Sequence, residues 1–311
     1  MFFYKKRNVN GLLLLDKPQG VSSNYILQKV KYIFHAKKAG YTGTLDPLAT
    51  GMLPICFGET TKFSQYLSES DKKYHVIAKL GEKTSTSDSN GIIIRRRVID
   101  FTFDKLHMSI QSLTGLIDQI PPMYSAIKHN GKPLYKYARK GLIIKRKIRK
   151  VLIHKIDFIN QSNNCIEFNI FCSKGTYIRT LIEDLGEKLG CGAHVIFLRR
   201  LQVASYFQSQ LVTMEDLYHC SNNTIHSINF FDTLDNFLMP IDSPISFLPK
   251  IFISIMQAYD FHLGKNIFFS TNLQNTLVRV IEEKNKKFIG LGKIKNNSII
   301  IPYRLISNID N

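Results

Sequence analysis

The stretch AGYTGTLDPLATGML, residues 39–53, restricts the local structure of this chain more than any other. It sets Gly40, Gly43, Pro47 and Gly51 around a single acid, Asp46. Glycine admits positive φ and proline fixes φ near −65°, so the segment reads as a tightly shaped loop. An Asp before Pro is most often a turn former whose side chain bonds its own backbone two residues on. The same loop can hold a carboxylate against a substrate, as nucleophile or general base, with an arginine keeping it ionised. The loop by itself leaves both readings open.

Composition sharpens the question, because the carboxylate stands in a basic chain. Lys and Arg number 42 against 24 Asp and Glu, a net charge of +18 and a pI near 9.6. That balance favours a polyanionic partner through phosphate contacts and counterion release, with nucleic acid first among candidates. A biased coding composition, rich in Lys, Asn and Ile, would also scatter lysines over any surface, and charge does not choose between DNA and RNA. The 311 residues allow one large domain plus a small one, or two of middling size. With 44% hydrophobic and 21% charged residues the chain reads as soluble and folded, not as disordered, collagenous or coiled-coil. Cys56, Cys165, Cys172, Cys191 and Cys220 form no CxxC pair and are odd in number, which fits a reducing, cytoplasmic setting better than a disulfide framework or a cysteine zinc site. The amino terminus reads as no secretory signal, since the run Leu12 to Leu15 stops at Asp16-Lys17-Pro18, and no stretch reaches the roughly 18 apolar residues of a membrane span.

GLLLLD reads as a short buried strand, and KPQGVSS turns the chain into a helix capped by Ser22 or Ser23, with Ile26, Val30 and Ile33 on its apolar face and Leu27 and Phe34 beside it. GETTKFSQYLSESDK reads as a helix, and KYHVIAKLG as a half-buried strand with Tyr74, Val76, Ala78 and Leu80 on one face. EKTSTSDSNG is then a polar turn before the strand IIIRRRVI. Residues 121–150 interleave Tyr124, Tyr135 and Tyr137 with ten Lys or Arg around the turn Asn130-Gly131. This pattern suits a surface that follows phosphates and stacks bases, and equally a solvated charged hairpin. CIEFNIFCSKG is another strand, and the following helix places Ile178, Leu181, Ile182, Leu185 and Leu189 on one stripe before Gly190 and Gly192. Arg179 falls in its first turn, where a cation opposes the helix dipole at a cost of a few tenths to about 1 kcal/mol; this points to an anionic partner, or to ordinary surface placement. FLMPIDSPISFLP carries three prolines and sets a domain boundary near residue 247, after which NTLVRVIEE, KKFIGLGKI and NSIIIPYRLI read as strands of a small β-rich module.

No P-loop, GxGxxG, GxSxG or metal-ligand spacing of histidines occurs, so nucleotide cofactors, serine nucleophiles and metal hydrolysis find no anchor. With these set aside, GYTGTLDPLATGMLP closely resembles the catalytic loop of pseudouridine synthases. LLLLDKPQGVSSN, ICFGETTKFSQYL, DKKYHVIAKLGEKTSTSDSNG, IPPMYSAIKHNGKPLYKYARKG, CSKGTYIRTLIEDLG and GCGAHVIFLRRL, in that order, resemble the bacterial TruB family, which makes pseudouridine at position 55 in the T loop of tRNA. The resemblance spans residues 10 to 245, and more weakly the tail resembles a PUA RNA-binding domain.

The resemblance implies a mixed α/β (α+β) fold: a pseudouridine synthase domain at 1–247 built on a central antiparallel sheet, with an RNA-binding insertion at 121–150, and a β-barrel-like PUA domain at 248–311. It implies an isomerase that flips a uridine out of the T stem-loop and needs no cofactor and no metal. Asp46 matches the nucleophile, attacking C1′ of the ribose or C6 of the base. Tyr74 matches the tyrosine that stacks on the base and helps remove the proton lost in rearrangement, and Arg179 the arginine that pairs with the carboxylate. Tyr177 and Leu198 match residues lining the uridine pocket. Lys17, with Pro18, matches an element that supports the loop, and Lys62 together with the insertion is expected at RNA phosphates. Tyr41 stands where members carry histidine; it keeps a flat ring for stacking but does not become a cation near neutral pH. The partner implied is tRNA, with no membrane and a monomeric enzyme. A catalytically silent tRNA-binding or tRNA-folding protein would share the charge, the aromatics and the tail, but would require none of Asp46, Tyr74 and Arg179.

Overall fold

The computed structural model describes residues 6–224 and 230–307; residues 1–5 of the amino-terminal stretch and 308–311 of the tail lie outside it. The run GLLLLDK forms strand β1 (Gly11–Lys17), and its lack of alternation has a direct cause. Leu13 and Leu15 enter the main core while Leu12 and Leu14 enter a second cluster with Met52, Cys56 and Leu67. A strand covered on both faces has no polar side to show.

Helix α1 (Ser23–Ile33) follows, its cap provided by Ser22, whose side chain accepts from the Tyr25 amide. Strands β2 (Ala39–Tyr41) and β3 (Thr50–Phe57) flank the Asp46 loop. Next come β4 (Lys72–Leu80), α2 (Phe103–Ser112), β5 (Gly115–Gln119), β6 (Arg149–Ser162), β7 (Cys165–Cys172), α3 (Ile178–Leu189) and β8 (Ala193–Val203). They make an eight-stranded sheet in the order β1-β3-β8-β4-β7-β6-β5, with β2 added to β3. Every pairing is antiparallel except β3 with β8. The stripe read for α3 is buried in full, and Gly190 ends the helix at φ 93°, a left-handed conformation that glycine adopts freely.

Two local readings change. GETTKFSQYLSESDK is not one helix but a 3-10 turn (Gly58–Phe63) followed by a short α-helix (Ser64–Glu69). The insertion is a small hairpin, Lys128–His129 against Lys132–Pro133, then a short helix (Leu134–Ala138), with Asn130 and Gly131 both at positive φ as a tight hairpin turn requires.

The tail forms β9 (Lys250–Ile253), α4 (Ile255–His262), β10 (Ile267–Phe268), β11 (Leu277–Glu282), β12 (Lys287–Lys295) and β13 (Ile299–Leu305), in a five-stranded sheet ordered β9-β11-β12-β13-β10. Its three longest strands are those expected; α4 was not, although Ser254 and Gln257 form a capping box at its start. The proline-rich segment before it is packed rather than free. Ile245 is buried with Phe63, Ile281, Phe288, Leu291 and Ile306, and Asp242 pairs with Arg279 at 3.0 Å. Among the described residues no helix is long and apolar enough to cross a membrane.

Candidate active site

The sheet register sets the site. Arg200 on β8 lies beside Gly51 of β3 in the parallel pairing and beside Tyr74 of β4 in the antiparallel one, so the end of the Asp46 loop and Tyr74 flank one arginine. Gly51 has φ +94°, and a Cβ there would stand 2.3 Å from the Arg200 carbonyl oxygen. Only glycine lets the loop enter β3 so close to β8.

The loop is pinned on both sides of Asp46. Buried Ser23 donates its hydroxyl to the Leu45 carbonyl at 2.8 Å and accepts the Leu45 amide at 2.9 Å. The Gly20 amide donates to the Pro47 carbonyl at 2.8 Å, and the Ala49 amide to the Asp46 carbonyl at 3.0 Å. This is the physical content of the KPQGVSS element: its turn and its second serine hold the loop. Lys17 is fully buried and donates its Nζ to the Pro18 carbonyl at 2.7 Å, outside the pocket lining. Burial pushes its pKa down to about 8 against the pull of Asp46, with Arg200 adding to the fall.

Arg179, in the first turn of α3, meets Asp46 with two nitrogens, Nε to Oδ2 at 2.8 Å and Nη2 to Oδ1 at 3.2 Å. The cation placed against its own helix dipole thus has an anionic partner. It has a second one: Nη1 reaches Asp88 at 3.4 Å and the Thr86 carbonyl at 3.0 Å, while Nη2 also donates to the Tyr124 carbonyl at 2.8 Å. Arg179 is 5% exposed in its side chain and Asp46 35%, because Asp46 faces an open pocket while its carboxyl is hemmed by protein elsewhere. Burial pushes the Asp46 carboxyl above its ordinary 3.8; Arg179 opposes the rise, Asp88 adds to it, and Lys17 opposes it weakly.

The pocket holds about 250 Å³ and is lined by Asp46, Tyr74, Tyr177, Arg179 and Leu198, five of the eight residues singled out from the sequence. Burial raises the Tyr74 phenol above 10.0, with Arg200 opposing most strongly, and burial likewise raises Tyr177. Tyr41 is half-buried at the end of β2, packed on the main core and outside the lining. Lys62 also stands outside: its ammonium pairs with Glu59 at 2.6 Å and donates to the Leu305 carbonyl at 2.9 Å, tying the 3-10 turn after β3 to the tail.

Sequence reasoning passed over Asp88, Lys72 and Arg200. Asp88 sat in what read as a polar turn, yet it is 4% exposed. Lys72 lines the pocket while its ammonium donates to the carbonyls of Leu67 at 3.0 Å, Ser68 at 2.8 Å and Ser70, and burial pushes it down to about 8. Among the described residues no group of three or more His, Cys, Asp or Glu stands where it could hold a metal ion. The arrangement offers a fixed carboxylate, a cation that keeps it ionised, and a phenol across a cavity open to solvent.

The family descriptions that match are the N-terminal domain of TruB family pseudouridylate synthase over residues 31–178, the tRNA pseudouridylate synthase B C-terminal domain over 179–246, and the C-terminal domain of pseudouridine synthase II TruB over 249–306. The tRNA pseudouridine synthase B of Buchnera aphidicola subsp. Acyrthosiphon pisum is 67% identical, covering 99% of each chain, and that of Pectobacterium atrosepticum is 50% identical over 96% of each. A solved Cbf5-Nop10-Gar1 complex shares the fold at a TM-score of 0.69 and 24% identity over 96% of this chain and 84% of that one. An H/ACA RNP bound to a substrate RNA containing 2′-deoxyuridine does so at 0.70 and 22%, over 96% and 86%. The tail's five-stranded sheet is PUA-like, as expected. Motif order, the Asp46–Arg179 pair at the pocket and relatives matched over their whole length agree: the chain belongs to the TruB family of pseudouridylate synthases.

Proposed function

We propose that the protein isomerises uridine to pseudouridine at position 55 in the T loop of tRNA, acting in the cytoplasm as a monomer. The single observation that carries this reading is the two-point Arg179–Asp46 pair at the floor of a cavity walled by Tyr74 and Leu198. A uridine stacked in a folded loop does not reach a carboxylate, so the base is extruded at a cost of a few kcal/mol, which aromatic contacts offset. Asp46 attacks C1′ or C6, the N1–C1′ bond breaks, the base turns and C5 bonds to C1′, and the bond to Asp46 breaks to return the free carboxylate, while the C5 proton is lost and N1 takes one up. Arg179 keeps Asp46 ionised and aimed; Tyr74 stacks on the base and receives the proton released from C5; Tyr177 and Leu198 bound the base. Residues 1–247 form the catalytic domain and 248–311 the PUA-like one. Lys17 supports the loop from below, Tyr41 shapes its entry, and the exposed cations of the insertion follow the phosphates, whereas Lys62 is engaged with Glu59 and Leu305.

The test incubates an unmodified T stem-loop RNA with the protein and analyses the digest for pseudouridine. Product is expected from the wild type and none from Asp46→Asn, with RNA affinity retained. No product from the intact wild type would favour the silent binder. Since burial raises Asp46, the acid side of the rate profile is expected to fall away at a pH above 3.8.

A further inference from the structure

Arg200 is 1% exposed and forms no ion pair among the described residues, although it lines the pocket. Its Nε donates to the Met52 carbonyl at 2.7 Å and its Nη2 to the Gly43 carbonyl at 2.8 Å. Those two carbonyls bracket Asp46 in the chain, so one guanidinium holds both ends of the loop. Space around it is tight, for a Cβ at Gly43 would come within 3.0 Å of Nη1. Arg200 is also registered directly opposite Tyr74, which places the two side chains on one face of the sheet, and both line the pocket. Its near neighbour Lys72 is also a cation held by backbone carbonyls. A buried charge with no counter-charge costs several kcal/mol, and a neutral donor would suffice to bond two carbonyls. The charge is therefore spent on something besides the loop.

We propose that Arg200 is a positioning residue for proton removal: it sets the spacing between Asp46 and Tyr74, and its positive charge equips the Tyr74 oxygen to act as proton acceptor. This rests on Tyr74 taking that proton, as read above. In the step, the Tyr74 phenol first gives its own proton to solvent through the open pocket; the C–H bond at C5 of the rejoined base then breaks, its electron pair returns to the ring, N1 takes up a proton from solvent, and the C5 proton passes to the Tyr74 phenolate oxygen. Arg200 stays protonated throughout and offsets the phenolate charge before transfer. Arg200 is the strongest influence opposing the upward push of burial on that phenol.

The experiment follows single-turnover pseudouridine formation in a T stem-loop RNA from acid to alkaline pH, for wild type, Arg200→Gln, Arg200→Lys and Tyr74→Phe. Arg200→Gln is expected to lose about 100-fold in rate near neutrality with RNA affinity little changed, and to keep gaining rate at alkaline pH where the wild type has levelled off. Arg200→Lys, which keeps the charge, is expected to restore most of the rate and the wild-type profile, and it serves as the informative variant should the glutamine form not fold. A profile for Arg200→Gln that is uniformly lower but parallel to the wild type, or a loss in Arg200→Lys as large as that in Arg200→Gln, would reduce Arg200 to a structural strut and overturn the proposal. Tyr74→Phe at the wild-type rate would instead remove the underlying reading of Tyr74, a separate outcome.

Discussion

The Asp46 loop and the 121–150 insertion both face the pocket, and they are held in opposite ways. Around Asp46, Ser23, Gly20 and Arg200 bond the loop's backbone from outside it, Ala49 closes it onto the Asp46 carbonyl, and Leu45 and Leu48 are buried. In the insertion, nine of the ten cations are exposed and none forms an ion pair among the described residues. The side-chain bonds of Tyr137 to the His129 carbonyl and of Arg146 to the Pro121 carbonyl stay inside the insertion, which meets the site through the Tyr124 carbonyl on Arg179 and joins the sheet at Arg149 and Lys150. The covalent chemistry proposed for Asp46 needs atoms placed to a fraction of an ångström, and the loop is over-determined in keeping with that. A grip on phosphates, the role proposed above for the insertion, works at longer range and survives rotamer freedom, which is compatible with its looser hold.

That contrast breaks most visibly at Arg179. Arg179→Met leaves Asp46 and Asp88 without their shared cation, and is expected to lower stability by about 3 kcal/mol in denaturant titration and to abolish product. Any residual rate should fall off at a higher pH on the acid side than in the wild type, because the influence that lowers the Asp46 pKa is gone. Ser23→Ala tests the loop's clamp without touching substrate. It strands a buried amide and carbonyl at Leu45, costing roughly 1–3 kcal/mol, and should slow the single-turnover rate while RNA affinity holds. In the insertion the signs reverse: replacing Lys128, Lys132 and Lys136 by Gln should move stability by less than about 0.5 kcal/mol while weakening RNA binding. The slope of log affinity against log salt should shrink by about 2 to 3, and an unchanged slope would remove the insertion from the RNA contact.

Regions governed by short-range rules were readable before the fold was known. The stripe of α3, the cap of α1, the Asn130-Gly131 turn and the three long tail strands follow from periodicity and turn chemistry within a dozen residues. Asp88 resisted, because a polar Ser- and Thr-rich stretch looks the same exposed or buried until α3 delivers Arg179 to it. The adjacent Arg199 and Arg200 resisted too, since alternation along β8 sends one to Asp16 and the other into the pocket, and only the register says which. Lys62 looked like a phosphate contact because its partner carbonyl at Leu305 lies 243 residues away.

By itself the chain determined a shaped loop carrying one acid within residues 39–53, although the ends of that stretch, 39–41 and 50–53, are strand, and family resemblance pointed to Asp46, Tyr74 and Arg179. Only the tertiary structure decided that Arg179, 133 positions from Asp46, would meet it with two nitrogens, and that Arg200 would stand between the loop and Tyr74. The reason is physical: turns and helix faces are set by steric and hydrogen-bonding rules that act over a few residues, whereas the approach of two distant side chains is set by sheet register and core packing, which the whole chain decides together.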